Sequence, residues 1–137
     1  MRTYDYAHVV TFDETNVVGN VYFANHLRWQ GHCRERFLAE HAPGVLASLG
    51  ELALVTTRCS CEYYAQLLAL DEVVVRMSLE RIGRSTVAMN FEYLRGEEVV
   101  ARGAQEVACL RRENGGYAHA NVPDELRAAL QQFAVDR

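Results

Sequence analysis

The 137-residue sequence predicts an α+β fold: a curved antiparallel sheet of about five strands wrapped around one long helix, with a short helix near the C-terminus. Three observations lead there. From Val21 to about His41 the chain has no proline and a single glycine, which is room for one major helix. In the second half the apolar residues switch to a period of two, the mark of half-buried strands. Strands lie about 4.8 Å apart and a helix is about 10 Å wide, so one helix hides the apolar face of such a sheet only if the sheet curls around it.

The elements follow in chain order. Tyr6, His8, Val10 and Phe12 alternate with smaller or polar residues and predict a first strand; Asp13 to Asn20, polar and containing Gly19, is a loop. The long helix begins at Val21 with an irregular first turn, and Pro43-Gly44 ends it. Val55, Thr57, Cys59, Cys61 and Tyr63 share one strand face. A connection at about Ala65 to Asp71 leads to Val73, Val75, Met77 and Leu79 on the next strand. Val87, Met89, Phe91 and Tyr93 repeat the pattern, as do Val99, Ala101, Val107 and Cys109 in a long strand that Gly103 can bend. Turn residues at Gly83-Arg84, Arg95-Gly96 and Asn114-Gly115-Gly116 make these strands sequential antiparallel neighbours. The opposite faces carry Arg58, Glu62, Arg76, Glu80, Glu92, Arg102 and Glu106 and are solvated. Pro123-Asp124-Glu125 opens the last helix. No repeat, low-complexity stretch or linker divides residues 1–137, so they are read as one domain. Sheet edges and leftover apolar surface call for a second copy, so a dimer or tetramer is expected.

Composition narrows the function. A net charge of -4 gives no general attraction to phosphate backbones and argues against nucleic acid. No apolar run reaches about 18 residues, and Met1-Arg2-Thr3-Tyr4-Asp5 lacks the build of a signal peptide, so a cytoplasmic protein without a membrane span is expected. All fourteen basic residues are arginine, which excludes Schiff-base and lysine-base chemistry. Cys33, Cys59, Cys61 and Cys109 lack zinc-site spacing and read as reduced cysteines; no metal and no cofactor are expected. Phosphate-loop, dinucleotide and serine-elbow patterns are absent. Arg81, Arg84, Arg111 and Arg112 at strand ends could meet phosphate, although charged turns are more often simply solvated.

At about 100° per residue, Phe23, Leu27, Trp29, Cys33, Phe37 and Leu38 share one arc of the helix, opposite Asn25, Arg28, His32, Glu35 and Arg36. His26, Gln30 and Arg34 fall inside the apolar arc. A guanidinium there cannot lose its charge, so it snorkels to an edge, meets acceptors or lines a polar cavity. A histidine or glutamine in such a place is more commonly a satisfied core residue. Glu35 lies in the polar arc and Glu40 at its edge, so neither is aimed into a buried pocket.

The run Asn16-Val17-Val18-Gly19-Asn20-Val21-Tyr22-Phe23-Ala24-Asn25-His26-Leu27-Arg28-Trp29 resembles the loop and helix start of the 4-hydroxybenzoyl-CoA thioesterase-like family of hot-dog proteins. Cys61-Glu62-Tyr63, Asp71-Glu72-Val73, Arg81-Ile82-Gly83-Arg84-Ser85 and Val122-Pro123-Asp124-Glu125-Leu126 match it in order, so the likeness runs from about residue 5 to 127. The family commonly has a catalytic aspartate three residues before the loop glycine; here that residue is Asn16, an amide that neither ionises nor attacks. This asparagine, with an arginine matching Arg34, is similar to the enediyne-biosynthesis branch. That resemblance implies release of a polyene β-keto acid from the carrier domain of an iterative polyketide synthase, whose phosphopantetheine arm holds the acyl chain. His26 stands where the family has a tyrosine.

The expected site therefore joins Asn16 and Arg34 as the catalytic pair. Gly19, Val21, Tyr22, Phe23, His26, Trp29 and Thr57 bind substrate. Backbone N–H groups around Val21 to Phe23 polarise the thioester carbonyl, Asn16 positions water or the carbonyl, and Arg34 fixes Asn16 or binds a β-oxygen. Phe23, Trp29 and Thr57 wall an acyl tunnel. Two other readings stand beside this one: an acyl-CoA thioesterase for smaller acyl groups, and a non-catalytic acyl-binding module.

Overall fold

The computed structural model describes residues 2–134. The elements are β1 (Tyr4–Val9), a 3-10 turn (Phe12–Glu14), α1 (Ala24–His41), α2 (Pro43–Ala47), β2 (Leu52–Tyr63), β3 (Glu72–Ile82), β4 (Thr86–Arg95), β5 (Glu98–Glu113), β6 (Gly116–His119) and α3 (Asp124–Gln131). One antiparallel sheet runs β1-β3-β4-β5-β2, with β6 paired to β5. Within the described residues it has six strands rather than about five, because the chain returns after Asn114-Gly115 to pair Leu110 with His119.

The helix α1 lies in the curve of the sheet and buries Trp29, Cys33, Phe37 and Leu38 against Val75, Met77, Met89, Phe91 and Tyr93. Burying side chains of this size contributes about 1.5–3 kcal/mol each and supplies most of the driving force. β3, β4 and β5 are sequential neighbours as expected, but β2 pairs with β5 and β1 with β3. The segment between β2 and β3 passes the start of α1, where the Val21 N–H donates to the Leu67 carbonyl at 2.8 Å. That crossing carries the chain from the β2 edge across to β3, which lies next to the opposite edge strand β1.

Several boundaries differ from the sequence expectation. The first strand starts at Tyr4 and stops at Val9; Phe12 begins the 3-10 turn and is 74% exposed. Residues 21–23 are extended or turn-like, and α1 starts at Ala24, since Val21 bridges to Thr15 and the Tyr22 N–H is drawn to the Glu14 carbonyl. Pro43-Gly44 ends α1 but opens the five-residue α2, whose Gly44 and Val45 N–H groups donate to the Glu125 carboxylate. Asn25 is buried rather than solvated, its side chain donating to the Glu14 carbonyl. Val99 is only half-buried, because the strand register slips beside it and Val100 takes the core position.

The single inward face drawn for β2 is also corrected. The pairing steps from Thr56 opposite Val107 to Arg58 opposite Glu106, which leaves Thr57 as a bulge. Leu54 and Thr56 face inward before it; Cys59, Cys61 and Tyr63 do so after it. Val55 therefore points away, and the exposed Thr57 at the bulge donates its hydroxyl to the Glu106 carbonyl at 3.2 Å. β2 is an edge strand of 12 residues, most of them exposed.

Candidate active site

Glu14, which the sequence did not single out, holds the site's loop in place. Its carboxylate accepts from the Thr11 N–H at 2.9 Å, His8 Nε2 at 2.8 Å and Trp29 Nε1 at 2.8 Å, and its carbonyl accepts from the Tyr22 N–H and Asn25 Nδ2. Burial alone would raise this carboxyl; the hydrogen bonds from Thr11, His8 and Trp29 outweigh it and bring the pKa down to about 2. The strand β1, the 3-10 turn and α1 are thus tied at one ionised group. The available signal was the spacing of a carboxylate, a histidine and a tryptophan across three elements, which no local pattern displays.

The loop beyond Glu14 carries Asn16. Thr15 bridges to Val21, the Asn16 N–H donates to the Asn20 carbonyl, and the Gly19 N–H donates back to the Asn16 carbonyl. Gly19 closes the turn at φ +96°, a conformation that side-chain-bearing residues rarely adopt. Asn16 is exposed; its Oδ1 accepts from the Val18 N–H at 3.1 Å, and its Nδ2 has no partner among the described residues. Around it Val17, Val18, Tyr22 and Phe23 are exposed, an apolar collar unusual for a loop tip.

At the start of α1 the Val21 and Tyr22 N–H groups are already used, by Leu67 and Glu14. Among the described residues the next two amides, those of Phe23 and Ala24, have no hydrogen-bond acceptor and are the ones left to polarise a carbonyl. Phe23 borders an open crevice of about 310 Å³ whose other walls include Asn20, Val21, His26, Tyr63 and Leu67. His26 is 3% exposed and packs against Trp29, Tyr63 and Tyr93, with ring centroids 4.7–5.4 Å away. Burial pushes its imidazole down to about 4, so it is neutral at neutral pH. Trp29 itself is fully buried, donates to Glu14 and belongs to the core rather than to a tunnel wall.

His26, Gln30 and Arg34 form one stripe at four-residue spacing beneath β2 and β5. Gln30 donates to the Ser60 carbonyl at 3.0 Å and accepts from Gln105; Gly103 leaves the space, since a Cβ there would lie 2.7 Å from the Ser60 carbonyl oxygen. Arg34 Nη1 donates to Thr56 Oγ1 at 2.9 Å and Gln105 Oε1 at 2.8 Å. Among the described residues Arg34 has no ion pair, and its Nη2 and Nε have no partner. Burial lowers its pKa, with Glu35 opposing. It borders an open pocket of about 300 Å³ lined by Leu38, Leu46, Leu49, Leu52 and Leu54 and by the Glu35 carboxylate. A guanidinium with donors to spare beside a largely leucine-lined pocket is able to meet an oxygen of a ligand.

Of the expected residues, Val21, Phe23 and His26 line the crevice, Asn16, Gly19 and Tyr22 lie in the loop that leads to it, and Arg34 and Thr57 do not line it. Arg34 lies ten residues along α1 from Ala24, about 15 Å at 1.5 Å per residue. It makes no hydrogen bond to Asn16 within one chain, so it does not fix Asn16 there. It is Thr56, not Thr57, that meets Arg34, because of the bulge. Of the strand-end arginines, Arg81 is paired with Glu106 at 2.8 Å. Among the described residues no group of three His, Cys, Asp or Glu is placed to hold a metal ion, and no helix is long and apolar enough to cross a membrane.

Comparison with known proteins gives a consistent result. Residues 10–130 match the model of the Thioesterase-like superfamily. A crystal structure of the dynemicin thioesterase, reported for induced-fit and allosteric effects upon polyene binding, is 53% identical with a TM-score of 0.96, covering 99% of this chain and 100% of that one. A 1,4-dihydroxy-2-naphthoyl-CoA hydrolase from Synechococcus sp. (strain CC9605) is 26% identical over 138 residues, 93% of this chain and 89% of the relative. A mutant 4-hydroxybenzoyl CoA thioesterase complexed with 4-hydroxybenzoyl CoA shares the fold at 12% identity, with a TM-score of 0.83 over 95% of this chain and 99% of that one.

Proposed function

The chain belongs to the Thioesterase-like superfamily, and on that premise we propose that it hydrolyses a polyene β-ketoacyl thioester. The substrate rides on the phosphopantetheine arm of the acyl carrier domain of an iterative, enediyne-forming polyketide synthase in the cytoplasm. The released β-keto acid is able to lose carbon dioxide. The observation that carries this reading is an amide, Asn16, where a carboxylate would act, combined with a guanidinium, Arg34, that has spare donors beside a pocket lined mostly by leucines.

The thioester carbonyl accepts from the free Phe23 and Ala24 N–H groups, where the helix terminus favours developing negative charge. Asn16 Nδ2 or Oδ1 holds a water against the carbonyl carbon. The water oxygen adds, the C–S bond breaks, and the proton shed by the water ends on the departing sulfur through solvent. A thioester is activated enough for positioning and electrostatics to carry the rate without a protein nucleophile. Arg34 meets the β-oxygen or the carboxylate product.

A second copy reunites the separated parts. β2 has a free edge, Tyr63 bonds to the Phe23 carbonyl at one end, and Thr56 bonds to Arg34 at the other. Antiparallel self-pairing about Cys59 sets the Tyr63 end of one copy against the Val55 end of the other, so each helix start faces the opposite copy's Arg34.

Mass spectrometry of the products formed with a loaded polyketide synthase tests the substrate: a free polyene acid or its decarboxylated ketone is expected, and an unchanged carrier-bound chain would contradict it. The likeness to a CoA hydrolase favours a second reading, an acyl-CoA thioesterase. Rates on one acyl chain carried by CoA and by a carrier protein decide between them, and a clear CoA preference supports the second.

A further inference from the structure

The crevice beside the helix start contains two polar groups that no partner among the described residues satisfies. Both ring nitrogens of His26 and Oδ1 of Asn20 are buried without a hydrogen-bond partner. The Phe23 backbone lies near the imidazole but reaches hydrogen-bond geometry with neither nitrogen. The other candidates nearby are occupied: the Tyr63 hydroxyl donates to the Phe23 carbonyl at 2.6 Å and the Tyr93 hydroxyl to the His26 carbonyl at 2.7 Å. A buried polar group left unpaired is costly, so a crevice with an unsatisfied imidazole and an unsatisfied acceptor is built for a ligand that supplies the partners.

The chemistry of those partners can be counted. A neutral imidazole presents one N–H and one acceptor nitrogen, and Asn20 Oδ1 presents an acceptor. A ketone oxygen satisfies only the imidazole N–H, and a hydrocarbon satisfies nothing. A secondary amide offers a C=O to the His26 N–H and an N–H to Asn20 Oδ1. Asn20 and His26 line one crevice together with Phe23. From a thioester carbon held at the Phe23 amide, the first amide nitrogen of a pantetheine arm is four bonds away, about 5 Å.

The geometry points to the Asn20–His26 crevice as the subsite for the proximal amide of the pantetheine arm, the part that CoA and carrier-protein substrates share. This placement rests on the thioesterase reading for where the thioester sits. It makes His26 a binding residue for the leaving group rather than for the acyl chain, and leaves the acyl chain to the rest of the site.

Two measurements test it. The first uses the unreactive thioether S-ethyl-N-acetylcysteamine and its ester analogue, 2-(ethylthio)ethyl acetate, with affinity measured by titration calorimetry in every protein and contact in the native chain followed through the His26 ring nitrogen resonances. The amide is expected to bind about tenfold more tightly and to shift those resonances, with the preference lost in His26→Phe and kept in His26→Gln. Equal binding of the two probes, or an unmoved His26 signal, overturns the inference even if the protein hydrolyses thioesters well. The second compares one acyl group on N-acetylcysteamine with the same acyl group on 2-mercaptoethyl acetate. A kcat/KM ratio of about ten is expected, falling to about one in His26→Phe, and CoA and carrier-protein thioesters should lose a similar factor in that variant. A loss confined to one of them assigns His26 to the carrier and overturns the inference. If neither thioester is hydrolysed, the thioesterase reading fails, and the binding measurement still decides the subsite.

Discussion

Glu14→Gln should destabilise the fold by about 3 kcal/mol at neutral pH, and two routes give that figure. The carboxylate accepts three donors, and the amide keeps only one oxygen, so Trp29 Nε1 or the Thr11–His8 pair faces an NH₂ group. Hydrogen bonds to a charged group contribute about 1.5–3 kcal/mol, and a stranded buried donor costs about 1–3 kcal/mol. Separately, a carboxyl held at about 2 rather than 4.5 stabilises the native state by about 3 kcal/mol once fully ionised. Because the folded value is depressed, this stability is complete above pH 4.5 and is lost as the pH falls toward 2. Urea unfolding of both proteins between pH 3 and 7 is the assay. The two stability curves should lie about 3 kcal/mol apart at pH 7, roughly 10 °C in Tm, and converge in acid. A gap below about 0.5 kcal/mol at pH 7, or one that does not close with acid, would refute the argument that Glu14 is an ionised tie among β1, the 3-10 turn and α1.

Other consequences are more local. His26 is held at about 4, below its ordinary 6.5, so the unfolded chain binds the extra proton between those values. Stability should rise by up to about 3 kcal/mol from pH 4 to 6.5, and urea midpoints of His26→Phe should lack that rise. Gly103→Ala would press a methyl group against Gln30 Nε2 and the Ser60 carbonyl, at an expected cost of about 2 kcal/mol in a thermal or urea melt; a neutral outcome would contradict the tight approach. Val55→Glu on the free β2 edge should shift sedimentation toward monomer and reduce turnover in parallel, whereas a fully active, monomeric variant would contradict a site completed by a second copy.

The long helix, the alternating strands and the need for a curled sheet were legible because each shows as a period within a single segment. Arg34 was legible for a similar reason: a permanent charge in an apolar arc demands an explanation, and the structure gives it two neutral acceptors and a cavity. What the sequence concealed depends on contacts between segments. The bulge at Thr57 reverses which side chains of β2 face inward, and it follows from pairing with β5 rather than from the run Leu52–Tyr63 itself. The helix started three residues late because Glu14 and Leu67 claim the Tyr22 and Val21 amides, and neither is local to them. Trp29 read as a tunnel wall by its apolar character, but its indole N–H commits it to a buried carboxylate. The 15 Å that separates Arg34 from the helix start was already implicit in the spacing of the numbers along the helix.

The account stands on hydrolysis by a carboxamide and a guanidinium. The most direct measurement is single-turnover release of acid from a β-ketoacyl-loaded carrier protein by the native chain and by folded Asn16→Ala and Arg34→Ala variants. A loss of about a hundredfold or more in each is expected, at the scale of removing one transition-state donor. Native rates in either variant would contradict it.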